Sequence, residues 1–449
     1  MAGEGLCHLC PEFFLNRQNP CILPVYLIPS RHKTIWHLPS RYMMSQNLKI
    51  FIILFLAVFV TTMGAGLVAP LLPVYAHELG AGAFQIGLIF AAFSLTRSLF
   101  VPYFGKLSDK KGRKPFLTLG LFFYFLLSLI YAVTNSVVSL IILRLGQGFA
   151  SAMILPVAQA YVGDITPSTK EGWMMGNFNI SIYCGLSIGP LLGGVLKDWF
   201  SITVSFLGMG CLTLFGFFLC LFLLPKEESL GIPNPSPRKQ SVPYMEMMKD
   251  PAVSSLFLFR VCFTICVGIT WAFIPLLAST KLGLSSSEIG LVVMINVMIA
   301  GLLQAPMGYG ADHYSKKFFV ASGGVLAITA LLCLERAHTF LGLLLANAFF
   351  GVGGGVSLPA IMALAVIEGR RTKAMGSIMG LLAQAHSLGM LIGPLLAGFL
   401  LDIASFKIIF GVGAVIMVFG TGIFFVKYTV SPLPASTSVT VQKDKIFRR

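Results

Sequence analysis

Long apolar runs separated by short polar stretches recur along the whole 449-residue chain. Twelve of them reach the length of a helical membrane crossing. They lie at about 48–75, 84–104, 115–134, 137–163, 172–195 and 203–224, then at 252–279, 287–307, 318–335, 338–366, 374–400 and 405–427. A helix of about 18 or more apolar residues spans a hydrocarbon core of roughly 30 Å. Lipid offers no hydrogen-bond partner to open backbone, so each run predicts a helix. The alternating segments of about ten residues that mark a lipid-facing β-barrel are absent. The expected fold class is therefore an all-α polytopic membrane protein.

Composition supports that pattern: 56% of residues are apolar, 38 are Phe, and 11% are charged. A soluble domain carries far more charge. The net charge of +15 suggests a nucleic-acid partner only until the cations are placed. They lie in loops between spans and form no basic face, so no nucleic acid is expected. One set of loops holds fifteen of them, from Lys106, Lys110, Lys111, Arg113 and Lys114 through Lys170, Lys226, Arg238, Lys239 and Lys249 to Lys316, Lys317, Arg370, Arg371 and Lys373. The opposite set holds four: Lys197, Lys281, Arg336 and Lys407. Lys and Arg favour the cytoplasmic side. Both termini and the central loop are thus expected in the cytoplasm, around a multi-pass protein of the cell membrane.

The chain divides into a disordered leader (1–47), a first six-helix bundle (48–225), a cytoplasmic linker (226–251), a second six-helix bundle (252–428) and a cytoplasmic tail (429–449). The linker is Pro-rich and reads as a flexible tether. The leader reads equally well as sequence upstream of a start at Met43 or Met44. Its Cys7, Cys10 and Cys21 match no complete zinc module. The remaining cysteines lie inside spans, where they pack as small hydrophobes. No metal, cofactor or disulfide is expected.

The two bundles repeat one another. At an offset of 203, Gln85-Ile86-Gly87-Leu88 meets Glu288-Ile289-Gly290-Leu291, Gly105 meets Gly308, Asp109 meets Asp312, Arg144 meets Asn347, and Pro156 meets Pro359. At 204, Met175-Gly176 meets Met379-Gly380, Gly189-Pro190 meets Gly393-Pro394, and Gly194 meets Gly398. A parallel repeat of six helices implies a pseudo-two-fold axis along the membrane normal, with a substrate site near the midplane between the bundles.

Three stretches carry a family resemblance. "GKLSDKKGRK" (105–114) packs five cations and one acid into nine positions between spans two and three. With Gly105, Leu107, Asp109, Gly112, Arg113 and Lys114 it resembles the signature loop of the major facilitator superfamily. A weaker copy, "GYGADHYSKK" (308–317), follows span eight. "RLGQGFASA" (144–152) resembles the R-x-x-Q-G motif, and "GLSIGPLLGG" (185–194) the motif of the drug:proton antiporters. The resemblance covers residues 48 to about 428. It implies the major facilitator fold, with two pseudo-symmetric six-helix bundles, and no enzymatic activity. It also implies a monomeric secondary transporter working by alternating access, exporting small amphipathic compounds or drugs in exchange for protons. Uptake or facilitated transport of an anionic or neutral metabolite is the alternative.

Within that frame Asp109, Arg113, Asp164 and Asp312, with Gly105 and Gly112, are expected to gate the cytoplasmic side. Asp109 and Arg113 are one helical turn apart and suited to pair; Asp164 is placed to share the arginine, and the start of span eleven is a further partner for Asp109. Gly185, Gly189 and Gly193 are four apart, which lays them on one face for close helix approach, and Pro190 is expected to bend the span. An intramembrane cation has to face protein or water. Arg97 and Arg144 are therefore substrate or coupling candidates, with Gln147, Asn177, Asn179, Asn296, Asn347, Gln384 and the titratable His386. Arg260 is read as snorkelling to the cytoplasmic surface. No acid lies deep in a span: Glu78, Asp164, Glu288, Glu335 and Asp402 sit at span ends. Span one lacks the carboxylate that many drug:proton antiporters carry, which weakens the case for cationic drugs.

Overall fold

The computed structural model describes residues 40–166, 171–225, 244–372 and 374–430. Cys7, Cys10, Cys21, Lys170, Lys373 and most of the expected leader, linker and tail lie outside them. Among the described residues twelve helices are long and apolar enough to cross a membrane, and there is no strand. The chain is a multi-pass membrane protein.

In the first half, span one is built from α1 (Ser40–Val68) and α2 (Leu71–Glu78). It breaks where the sequence pattern predicts one helix, because Pro70 has no N–H to continue the ladder and Pro73 sits comfortably in the first turn of α2. Then follow α3 (Ala83–Lys111), α4 (Arg113–Ala132), α5 (Val137–Ile165), α6 (Glu171–Trp199) and α7 (Ile202–Phe218), the last closing in a π-helical turn, Leu219–Leu223. A short α8 (Tyr244–Met247) leads into the second half, where α9 (Pro251–Leu282), α10 (Ser286–His313), α11 (Lys316–Glu335), α12 (Phe340–Arg371), α13 (Met375–Ile403) and α14 (Phe406–Val430) follow.

Side chains stop and start these helices. Asp250 caps α9, accepting from Ala252 N at 2.9 Å, with Pro251 in the first turn. Ser285 and Glu288 form a reciprocal capping box on α10. Gly112 takes φ = 88°, a region closed to side chains, which lets α4 start one residue after α3 ends. Several helices outlast the apolar pattern at the Lys- and Arg-rich end: α3 runs to Lys111, α10 to His313 and α12 to Arg371. Lys and Arg are good helix formers, so a polar loop in sequence becomes a protruding helical turn.

The repeat is visible in the packing. α3 packs on α5, and α10 on α12; α4 packs on α7, and α11 on α14. The halves meet through two related helix pairs, α6 with α10 and α13 with α3. At the Lys- and Arg-rich end the first half keeps an apolar core of its own, including Phe51, Leu54, Phe104, Phe116, Tyr161 and Phe178. Towards the opposite end, Leu72, Ile86, Ile89 and Phe206 share one core with Phe273, Leu277 and Ile289 of the second half.

Candidate functional site

The contacts between halves at the end opposite the basic loops are close and doubled. The last turn of α6 carries Asp198, which accepts from Ser286 N at 3.0 Å, Ser287 N at 2.7 Å and Ser287 Oγ at 2.5 Å. The last turn of α13 carries Asp402, which accepts from Ala83 N at 2.9 Å and Phe84 N at 3.0 Å. Each carboxylate therefore caps the start of a helix in the other half, where free N–H groups and the helix dipole favour an anion. The two sites are related by the internal repeat.

Glycine lets the backbones touch beneath these caps. A Cβ on Gly194 would lie 2.1 Å from the Ser286 carbonyl oxygen, and one on Gly398 would lie 2.5 Å from that of Ala83. Gly290 and Gly87 stand in the same way, each at 2.3 Å, against the carbonyls of Pro190 and Pro394. At the basic end the situation is reversed: a Cβ on Gly105, Gly176 or Gly376 would meet no atom within 4 Å.

The three glycines of the span-five motif face α1. Added Cβ atoms on Gly185, Gly189 and Gly193 would fall 2.2 Å from Thr62 Oγ1, 2.5 Å from Met63 O and 2.0 Å from Leu67 O. The motif thus packs one face of α6 on α1, while Pro190 and Gly194 serve the contact with α10. α6 stays helical from Glu171 to Trp199 with Pro190 inside it. The small residues are occupied in packing.

The signature loop is a compact ion cluster. Arg113, 5% exposed, lies between Asp109 (2.5 Å) and Asp164 (3.0 Å) and also donates to Ser108 Oγ at 2.8 Å. All four belong to the first half. Lys114 Nζ donates to the Leu224 carbonyl at 2.5 Å, tying the start of α4 to the end of span six. In the second half Lys317 donates to the Tyr428 carbonyl at 3.0 Å in the equivalent position. Asp312 is only loosely held, 3.9 Å from Lys316. Glu368, buried at 3% exposure, stands at the repeat position of Asp164 and accepts from Arg371 Nε at 2.5 Å and Tyr428 Oη at 3.1 Å. Arg371 also pairs with Asp250. Burial alone would raise the Asp250 carboxyl, but hydrogen bonds from Arg371, Ala252 N and Val253 N outweigh it and hold the group below the usual carboxylate range. Glu368 lies beyond the apolar run of span ten, so the hydrophobic pattern gives no sign of its burial.

Between the two ends lie the intramembrane cations. Arg144 is buried at 8% exposure: it donates to Gln147 Oε1 at 2.9 Å and lies over the Phe90 and Phe93 rings, 5.1 and 5.5 Å from their centroids. Gln147 in turn donates to Met209 Sδ at 3.5 Å. Arg144 and Gln147 are thus built into the packing of the first half. Arg97, partly exposed at the middle of α3, lies 6.0 Å from the Phe93 centroid. Arg260 departs from the snorkelling expectation. Its Nη2 donates to His386 Nδ1 across α9 and α13 at 3.5 Å, and its Nε is buried with no hydrogen-bond partner. Gln304 of α10 donates to Tyr183 Oη of α6 at 3.0 Å, a polar link between the halves.

Asn296 and Asn347 are brought together, but to clamp α10 to α12: Asn296 donates to the Asn347 carbonyl at 2.8 Å, and Asn347 to the Val292 carbonyl at 2.9 Å. Gln384 is partly exposed and Asn179 exposed.

A repeated pair of six-helix halves, joined by twin seals at one end with polar residues held between them, is the architecture of transporters built from parallel repeats. The model of the Major Facilitator Superfamily matches residues 54–273 and 256–447. An uncharacterised MFS-type transporter of Methanocaldococcus jannaschii is 32% identical over 358 residues, 78% of this chain and 91% of that protein. The quinolone resistance protein NorA of Staphylococcus aureus is 27% identical over 365 residues, covering 80% and 91%. The crystal structure of the nucleoside transporter NupG has a TM-score of 0.72 at 13% identity, covering 84% of this chain and all of that one. The chain belongs to the major facilitator superfamily and is a transporter, not an enzyme.

Proposed function

We propose that this protein is a secondary transporter of the cell membrane that exports small amphipathic compounds in exchange for protons, as a monomer with both termini in the cytoplasm. The observation that carries the reading is the asymmetry of the two ends. The Lys- and Arg-rich end, which the positive-inside rule assigns to the cytoplasm, has open space at Gly105, Gly176 and Gly376, while the opposite end is sealed by Asp198 and Asp402. This is the arrangement of an inward-facing state.

In the outward-facing state the two carboxylates leave the helix starts and the cytoplasmic ends close. The open glycines then provide the surfaces that meet, and the Asp109–Arg113–Asp164 cluster lies at the closing edge. Each carboxylate at a helix start contributes about 0.5–2 kcal/mol. Two of them bias the equilibrium without freezing it. Kinship with NorA, a quinolone resistance protein, and the antiporter motif at 185–194 support export.

The test uses everted vesicles from cells making the protein. A substrate should collapse an imposed ΔpH, and a protonophore should abolish substrate accumulation. Unchanged flux under protonophore, with no proton movement, would overturn the antiport assignment.

A further inference from the structure

Every Asp and Glu within the described transmembrane helices stands in the first or last turn of its helix, from Asp109 on α3 to Asp402 on α13. Arginine is distributed otherwise. Arg97 is at the centre of α3, and Arg260 is ten residues into α9. Intramembrane guanidinium groups are expensive and normally find an anion. Among the described residues neither has an acid beside it.

The two arginines belong to one polar group assembled from both halves. Arg260 reaches His386 Nδ1 at 3.5 Å, and Arg97 stands near enough for its charge to bear on His386, as that of Arg260 does on Tyr183. Tyr183 is linked to Gln304 at 3.0 Å. Arg97, Tyr183, Arg260, Gln304 and His386 are all partly exposed, unlike buried Arg144. His386 Nδ1 has to accept from the guanidinium, so it supplies no negative charge, and Arg260 Nε has no partner at all.

Resting on the transporter reading, we infer that Arg260 and Arg97, with His386, Tyr183 and Gln304, form a binding site for the carboxylate of an amphipathic organic anion. Arg260 is the principal charge partner and Arg97 brings the second positive charge from the opposite half. A planar carboxylate matches the guanidinium fork, satisfies the orphaned Nε of Arg260 and supplies the missing countercharge. The phenol of Tyr183 and the amide of Gln304 offer further hydrogen bonds. The surrounding helices are apolar, which suits a substrate with one charged head on a hydrophobic body. Because the contributors come from both halves, binding would bridge the two bodies that rock against each other.

The experiment uses the purified full chain in detergent and three probes of one shape: 1-naphthoate, neutral 1-naphthamide and cationic 1-naphthylmethylamine. Thermal stability is followed against probe concentration. Naphthoate should raise Tm saturably, and the other two should do so only at concentrations at least about tenfold higher. Loss of a charge-assisted hydrogen bond should weaken naphthoate binding by roughly 10- to 100-fold in Arg260→Gln, and by less in Arg97→Gln. Naphthamide, which loses at most a neutral hydrogen bond, should be weakened far less than naphthoate in both variants. Arg260→Gln should also raise the Tm of the ligand-free protein, because it removes an uncompensated charge. A structural arginine would give the opposite sign. Equal stabilisation by the three probes, none by naphthoate, or naphthoate binding untouched in both variants would overturn the inference. Binding of naphthoate without its movement in everted vesicles would leave the site standing and remove the export reading. Proton-coupled movement of the amine without naphthoate binding would do the reverse.

Discussion

At the scale of single residues, Arg113 is the hub of the signature loop. It is buried between Asp109 and Asp164, so Arg113→Gln leaves two carboxylates facing a neutral amide. The partners are a quarter to a third exposed, which screens them, and the expected cost is about 1–3 kcal/mol, read as a lower Tm in detergent. Asp109→Asn should cost less, since Asp164 still holds the arginine, and Asp312→Asn should leave Tm unchanged. Asp250 offers a test by pH. Its carboxyl is held below the ordinary range, so its contribution is complete above the unfolded value of about 3.9 and is lost as pH falls through the lower folded value. The Tm gap between wild type and Asp250→Asn should therefore be full at neutral pH and close below about pH 4. The pairing of Asp109 with Arg113 was legible from their spacing of one turn, but the burial of Arg113 was not. A loop dense in Lys and Arg reads as solvated, and only its packing under α5 makes one of them a core residue.

At the scale of helices, the twin seals depend on charge and on the absence of side chains. Asp198→Asn and Asp402→Asn each weaken one carboxylate cap and should shift the balance towards the outward-facing state by roughly 3- to 30-fold. Gly194→Leu should act in the same direction and more strongly, because even its Cβ would lie 2.1 Å from the Ser286 carbonyl oxygen. A Gly176→Cys probe in a variant stripped of native cysteines reports the shift. Its labelling from the cytoplasmic side should fall in all three variants. Equal labelling in wild type and variants would mean that these contacts do not set the conformational balance. The glycine spacing of α6 showed a packing face in sequence. It did not show that Asp198 reaches another helix 88 residues away. The signal was present in the repeat, since Asp198 and Asp402 stand four residues after Gly194 and Gly398. An acid at a span end nevertheless reads as ordinary solvation until its partner is seen.

At the scale of the whole molecule, transport requires the seal to open. Gly82→Cys with Asp402→Cys brings two thiols together across the seal, because a Cβ on Gly82 would lie 3.7 Å from Asp402 Oδ1. Oxidation should join the halves, stop flux in everted vesicles, and be reversed by reductant. Continued flux through fully cross-linked protein would exclude rocking of one half against the other.

The hydrophobic pattern determined the helices, their number and their membrane character, because lipid leaves a spanning backbone no alternative. The order of Gly, Asp and Pro determined the two-fold repeat, because both halves meet the same packing demands. Tertiary structure decided which polar residues serve which task. Asn296 and Asn347 were absorbed into a helix clamp, and Arg144 into an aromatic slot. Arg260 was turned away from the surface towards His386, and two span-end acids became the latch between the halves. A helix places every residue on some face, but what that face meets depends on a neighbour far away in sequence. For Arg260 that neighbour lies 126 residues on, and no local pattern encodes it.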